Sequence, residues 1–154
     1  MIHSPYVRKP VSVQRTMGLV LIALLPGIAA YVWQAGGAIL VNLLIASIVA
    51  VAAEALAMGL RKRPVGLAVT DLSAVLTAWL VALSLPAIVP WWLTVSAVLV
   101  AILAVKQLYG GLGQNPFNPA MVAYCSMIVA FPALMSQWPA LATPSFDAQL
   151  ALIL

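Results

Sequence analysis

Long uncharged apolar runs alternate with short polar breaks along this chain, and the breaks carry nearly all of its charge. The first run extends from Met17 to Trp33, with Pro26-Gly27 in its middle. That pair predicts a kink, tolerated where neighbouring helices satisfy the freed backbone groups. Gly36-Gly37 predicts a tight turn. The second run covers about Ala38 to Leu60 and contains one acid, Glu54. Arg61-Lys62-Arg63-Pro64 ends it, because cations suit a helix C-terminus and proline cannot continue the helix. Thr70 and Asp71 stand where they can cap a third run that ends near Leu85. Beyond the Pro86 to Pro90 loop, Trp91 and Trp92 open a fourth run, which Lys106 closes. A glycine-rich stretch leads to Pro119, and a fifth run covers about Ala120 to Met135. Trp138-Pro139 marks a further interface, Ser136 to Phe146 reads as loop, and Asp147 to Leu154 begins another apolar segment.

Composition turns these runs into membrane spans. Of 154 residues, 65% are hydrophobic and 6% charged, against about 25% charged in a soluble domain. Ten charged side chains, seven basic and three acidic, cannot coat a water-exposed surface of this size. The chain therefore reads as an all-α integral membrane protein with about five transmembrane helices. Residues 1–16 form a leader and 17–135 a five-span membrane domain, with a broken-helix region near 106–119.

The net charge of +4 does not point to nucleic acid, since the basic residues sit in short clusters at segment ends. Arg8, Lys9 and Arg15 precede the first run, and Arg61, Lys62 and Arg63 follow the second. Two spans separate these clusters, so both lie on one side, and the positive-inside bias makes that side cytoplasmic. The expected location is the bacterial inner membrane, multi-pass, with a cytoplasmic N-terminus. The polar leader does not look like a secretory signal. Its histidine, His3, reads as solvated. Cys125 has no partner for a disulfide and reads as a small buried hydrophobe.

Few residues can carry chemistry. Glu54 lies two turns before the basic stop, and an acid at bilayer depth costs several kcal/mol unless it meets protein, water or a partner. It reads either as an ion or proton site, or as a structural acid paired with a base such as Arg61, seven residues on. Asp71 reads as a structural cap. Lys106 to Pro119 holds too much glycine, asparagine and proline for a regular helix. Irregular backbone at membrane depth lines a cavity or packs tightly on protein; a tight hairpin without a ligand is the plain alternative. The stretch lacks the Gly-Lys-Ser/Thr ending of a phosphate loop. Neither a catalytic triad nor metal-ligand spacing is present in the sequence.

Several segments carry a resemblance. Lys106-Gln107-Leu108-Tyr109-Gly110-Gly111-Leu112-Gly113-Gln114-Asn115-Pro116-Phe117-Asn118-Pro119-Ala120-Met121 resembles the signature of the D subunit of the Rnf (also Rsx) ion-translocating electron transport complex. Ser4-Pro5-Tyr6, Thr70 to Thr77, Pro86 and Pro90-Trp91-Trp92 are also similar to that family. The B subunit of the sodium-pumping NADH:quinone reductase is a more distant likeness.

The resemblance implies a membrane subunit of an ion-translocating ferredoxin:NAD oxidoreductase, a translocase coupling electron transport to sodium or proton movement alongside the other Rnf/Rsx complex subunits. It implies a fold in which five spans make one inverted repeat of a urea-transporter-like architecture. It also implies FMN, joined through its phosphate to a threonine on the outer side, with riboflavin as a second candidate flavin. That threonine belongs to a Ser-x-Ala-Thr pattern. Thr143 follows Ala142, but Ala140 stands where serine belongs, so the attachment site is expected beyond residue 154. Residues 136–154 are then an outer-side loop and the start of a second half.

Within this reading Glu54, Lys106, Asn115 and Asn118 are ion-path candidates, and Gly110, Gly111, Gly113 and Gln114 are candidates for a cavity or flavin pocket. No catalytic or metal-ligating residue is expected in this stretch. A flavin-free channel or permease of the same fold, or a purely structural subunit, remain the competing readings.

Overall fold

The computed structural model describes residues 12–109, 115–138 and 145–154. Among them every regular element is helical. Helix α1 spans Val13–Ala35 and α2 spans Ala38–Leu60. Each has 23 residues, about 34 Å of helix, which exceeds the ~30 Å hydrocarbon core of a bilayer. Both are long and apolar enough to cross a membrane.

Local chemistry sets the helix ends. Ser12 caps α1 by accepting a hydrogen bond from the Arg15 N–H at 3.3 Å. Helix α1 then runs through Pro26 as one element. Gly36 adopts φ +87°, and its absent Cβ leaves room for the Gln149 side chain. At the far end of α2, Arg63 N–H donates to the Met58 carbonyl and Lys62 N–H to the Gly59 carbonyl, both at 3.0 Å. This is the paired closure of a Schellman motif, with Lys62 at φ 53° in the left-handed position that glycine usually takes.

The third predicted run is two helices, α3 (Val65–Thr70) and α4 (Ser73–Ser84). Leu72 separates them at φ 62°, a left-handed conformation that disfavours a branched side chain. The fourth begins as α5 (Trp91–Leu99) and continues as a π-helical segment over Val100–Gln107. The fifth is also divided: α6 covers Pro119–Ala130, Phe131 interrupts, and α7 covers Pro132–Met135. Pro132 cannot donate to the helix before it, which explains the break. Helix α8 (Phe146–Ile153) follows. Taken singly, α4 and α6 have 12 residues each, about 18 Å, so they are shorter than a bilayer core.

Helix α2 packs on α4, α5 and the π segment, and α6 packs on the π segment and α4. The contact faces are small: Ala46, Ala50 and Ala53 on α2, Ala74, Ala78 and Ala82 on α4, Ala97 and Ala101 on the α5 side, and Ala120 and Ala123 on α6 are all buried. In lipid there is no hydrophobic drive between helices, and small residues bring backbones close enough for dispersion to act. Outward faces are apolar instead, with Ile22, Leu44, Ile48 and Val129 exposed. A surface of this kind is covered by lipid or protein rather than water. Cys125 lies on that outward face of α6, exposed, and is not the buried hydrophobe expected from its apolar run; such a run does not reveal which of its faces is inward.

Candidate functional site

Glu54 and Lys106 form a buried ion pair. Glu54 is 2% exposed and Lys106 4%, and Lys106 Nζ lies 2.6 Å from Glu54 Oε1. The acid points inward because it continues the α2 face already set by Ala46, Ala50 and Ala53. The base comes from the π segment. A π turn carries an extra residue relative to an α turn and is frequent at functional sites. Here it leaves Val105, Lys106 and Gln107 buried in succession, which a surface-packed α-helix, with one face inward, does not do.

A third element completes the cluster. Ser73, the first residue of α4, accepts from Lys106 Nζ at 2.6 Å. Its own hydroxyl donates to Asp71 Oδ1 at 2.6 Å, and its backbone N–H donates to the same oxygen at 2.8 Å. Asp71 thus lies one residue outside the helix cap position, Leu72, and closes the sharp turn between α3 and α4. Gln107 Nε2 donates to Glu54 Oε1 at 3.3 Å, and Arg61 Nη1 donates to Gln107 Oε1 at 3.2 Å. Glu54 Oε2 is buried and has no hydrogen-bond partner among the described residues.

From the sequence, Glu54 is either an ion or proton site or an acid paired with a base such as Arg61, and Lys106 a partner for an anion or an acid near the broken-helix centre. The structure supplies Lys106 as the base, 52 residues on, and Arg61 reaches the acid only through Gln107. Burial explains the choice: Lys106 arrives inside the bundle, whereas Arg61 sits beyond the end of α2 and is exposed. Ser73 and Gln107 were passed over in the sequence. Their one signal was proximity to Asp71 and Lys106. The π segment left no signal, since Val100 to Gln107 contains neither glycine nor proline.

The two asparagines have local duties. Asn115 Nδ2 donates to the Val105 carbonyl at 2.9 Å, and Asn115 Oδ1 accepts from the Phe117 N–H at 2.9 Å. It therefore ties the chain after the glycines to the end of the π segment. Asn118 Oδ1 accepts from the Ala120 N–H at 3.0 Å, with Pro119 at the first helical position, so it caps α6. Gly110, Gly111, Gly113, Gln114 and Thr143 lie outside the described residues, as does the leader up to Val11.

A second buried polar cluster sits about 18 Å along α2 from Glu54. Asn42 Nδ2 donates to the Ala87 carbonyl at 2.9 Å, and Thr94 Oγ1 donates to Asn42 Oδ1 at 3.1 Å. Between the two clusters Trp79 Nε1 donates to Ser47 Oγ at 3.0 Å. Among the described residues no group of histidine, cysteine, aspartate and glutamate could hold a metal ion in a multi-ligand set. The described threonines, Thr16, Thr70, Thr77 and Thr94, follow Arg15, Val69, Leu76 and Leu93, so none stands in a Ser-x-Ala-Thr setting for a flavin phosphate.

The profile of the NQR2, RnfD, RnfE family matches residues 1–152. Similar curated proteins include those named as the D subunit of the ion-translocating oxidoreductase complex from Escherichia coli O1:K1 / APEC, from Escherichia coli O139:H28 (strain E24377A / ETEC) and from Escherichia coli (strain K12 / DH10B). Each is 48% identical over 135 residues, covering 88% of this chain and 38% of the relative. The chain thus spans well under half the length of the curated relatives it matches.

Proposed function

Because the chain belongs to the NQR2, RnfD, RnfE family, we propose that it forms part of a membrane subunit of an ion-translocating oxidoreductase complex, coupling electron transfer between ferredoxin and NAD to sodium or proton movement. The buried Glu54–Lys106 pair is the observation that carries the ion-handling part. Ionised groups at bilayer depth face protein or water and mark ion paths, and this pair joins α2, α4 and the π segment at one point.

The placement proposed is the bacterial inner membrane, with the N-terminus and the Arg61 cluster cytoplasmic and Gly36-Gly37 outside. The five apolar runs make five crossings, counting α3 with α4 and α6 with α7, and correspond to one inverted repeat of a urea-transporter-like fold. Glu54 then lies near the cytoplasmic end of α2, where it serves ion uptake. Asn115 and Asn118 border the break between the π segment and α6, where an ion path or a flavin pocket would run. FMN supplies one-electron redox chemistry when bound, and its attachment threonine is placed beyond residue 154.

The experiment is made on the full-length protein in its assembled complex. Inverted membrane vesicles are supplied with reduced ferredoxin and NAD, and cation uptake is followed together with flavin fluorescence of the denatured protein. Electron-driven uptake and a fluorescent band support the reading. Solute flux without electron transfer, and a dark band, would favour the flavin-free permease instead.

A further inference from the structure

We propose that Lys106 is a tethered cation occupying the site that the transported ion must enter, and that withdrawal of its ammonium through a register change in the π segment opens the site. The proposal rests on the reading of the chain as part of an ion-translocating complex and adds the means by which the site is held closed.

Three observations meet here. Glu54 Oε1 and Ser73 Oγ each lie 2.6 Å from Lys106 Nζ, and Asp71 Oδ1 stands directly behind Ser73. These oxygens are the hard donors that a small monovalent cation takes. Glu54 and Asp71 face Lys106 inside the cluster, and Arg61 joins it only at its edge, through Gln107. Glu54 Oε2 is buried with no hydrogen-bond partner among the described residues, and an unpaired buried carboxylate oxygen is costly. A sodium ion that displaces Lys106 would engage both oxygens of Glu54, and a proton would bind at one of them, so the orphan oxygen marks where the present arrangement is incomplete.

The π segment supplies the motion. Its extra residue is a register defect in an otherwise α-helical element. Moving that defect past Lys106 turns the residue about 100° around the helix axis, enough to carry the ammonium off Glu54. Asn115 holds the Val105 carbonyl, so this shift is linked to the chain that follows the glycines. The incoming cation is a sodium ion or a proton; both neutralise Glu54.

The test uses the full-length complex carrying Lys106→Gln. Electron-transfer rate is read against sodium at fixed pH, and against pH at fixed sodium. With the tethered competitor gone, the half-saturating concentration of one cation falls at least about tenfold, and the arm that moves identifies the ion. An assembled variant in which neither arm moves overturns the proposal. Should the single variant fail to assemble, Glu54→Gln/Lys106→Gln decides: wild-type dependence on both cations overturns the proposal, and electron transfer independent of both supports it. A wild-type complex that responds to neither cation removes the underlying function, and the proposal with it.

Discussion

Glu54 and Ser73 sit on different helices and share one ammonium, with Lys106 Nζ 2.6 Å from each oxygen. Three elements are therefore joined by two hydrogen bonds inside the bundle. Replacing Glu54 by glutamine removes the carboxylate that contacts Lys106 and leaves the buried ammonium with Ser73 and, behind it, Asp71, a loss of up to about 3–5 kcal/mol for a pair of this kind. In the full-length complex, Glu54→Gln is expected to lower ion uptake at least about tenfold while the complex stays assembled. Unchanged uptake per electron would end the role given to this acid.

Asn115 holds the Val105 carbonyl through its side-chain amide. Asn115→Asp keeps the shape and removes the donor, so the carbonyl loses a partner. The carbonyl keeps the backbone N–H groups of Leu108 and Tyr109, so the expected cost is that of one hydrogen bond, about 0.5–1.5 kcal/mol, read as a lower thermal midpoint of the purified complex. A midpoint equal to that of the wild type would show that water or another donor replaces the amide.

At Gly36 a Cβ would collide with Gln149 Nε2 and lie 2.6 Å from Gln149 Oε1. Gln149 Oε1 accepts from the Ala38 N–H at 3.1 Å, so the same side chain secures the start of α2. Gly36→Ala is expected to displace α8 and expose residues 145–154 to limited proteolysis. Cleavage at the wild-type rate would refute the coupling of that turn to α8.

Lys62 is exposed and holds φ 53° at the end of α2. Lys62→Gly relieves that conformation at the cost of one surface charge. A gain of about 1 kcal/mol in stability is expected, with no change in ion uptake. A loss of stability would mean that the ammonium itself contributes to the helix end.

Asn42 and Thr94 meet inside the bundle, where the strength of one hydrogen bond can be isolated. A double-mutant cycle with Asn42→Leu and Thr94→Val measures it, expected at about 0.5–2 kcal/mol in a membrane interior. A coupling energy near zero would show that Asn42 is held by the Ala87 carbonyl alone.

The sequence showed where apolar runs lie far better than how they are broken. The bounds of α2, Ala38 and Leu60, follow directly from flanking glycines and arginines, which are local signals. The division at Leu72 was not legible, because nothing in a leucine announces a left-handed backbone; Asp71 and Ser73 fix it by hydrogen bonding across the turn. The π segment was equally silent, since Val100 to Gln107 holds no residue that breaks or widens a helix locally. Glu54 was legible as a candidate because an acid in an apolar run is rare. Its partner was not, because pairing between residues 52 positions apart is a property of the bundle and not of a helix face.

Helix α2 is pinned near both ends, by Asn42 to the Ala87 carbonyl and Thr94, and by Glu54 to Lys106 and Gln107. Sliding it by one turn, about 5.4 Å, would break both fastenings at once. A rearrangement that releases Glu54 and keeps the Asn42 fastening can leave α2 still and move α4 or the π segment around it. In that sense α2 serves as the axle of the bundle, and the parts free to turn are those that carry Ser73 and Lys106.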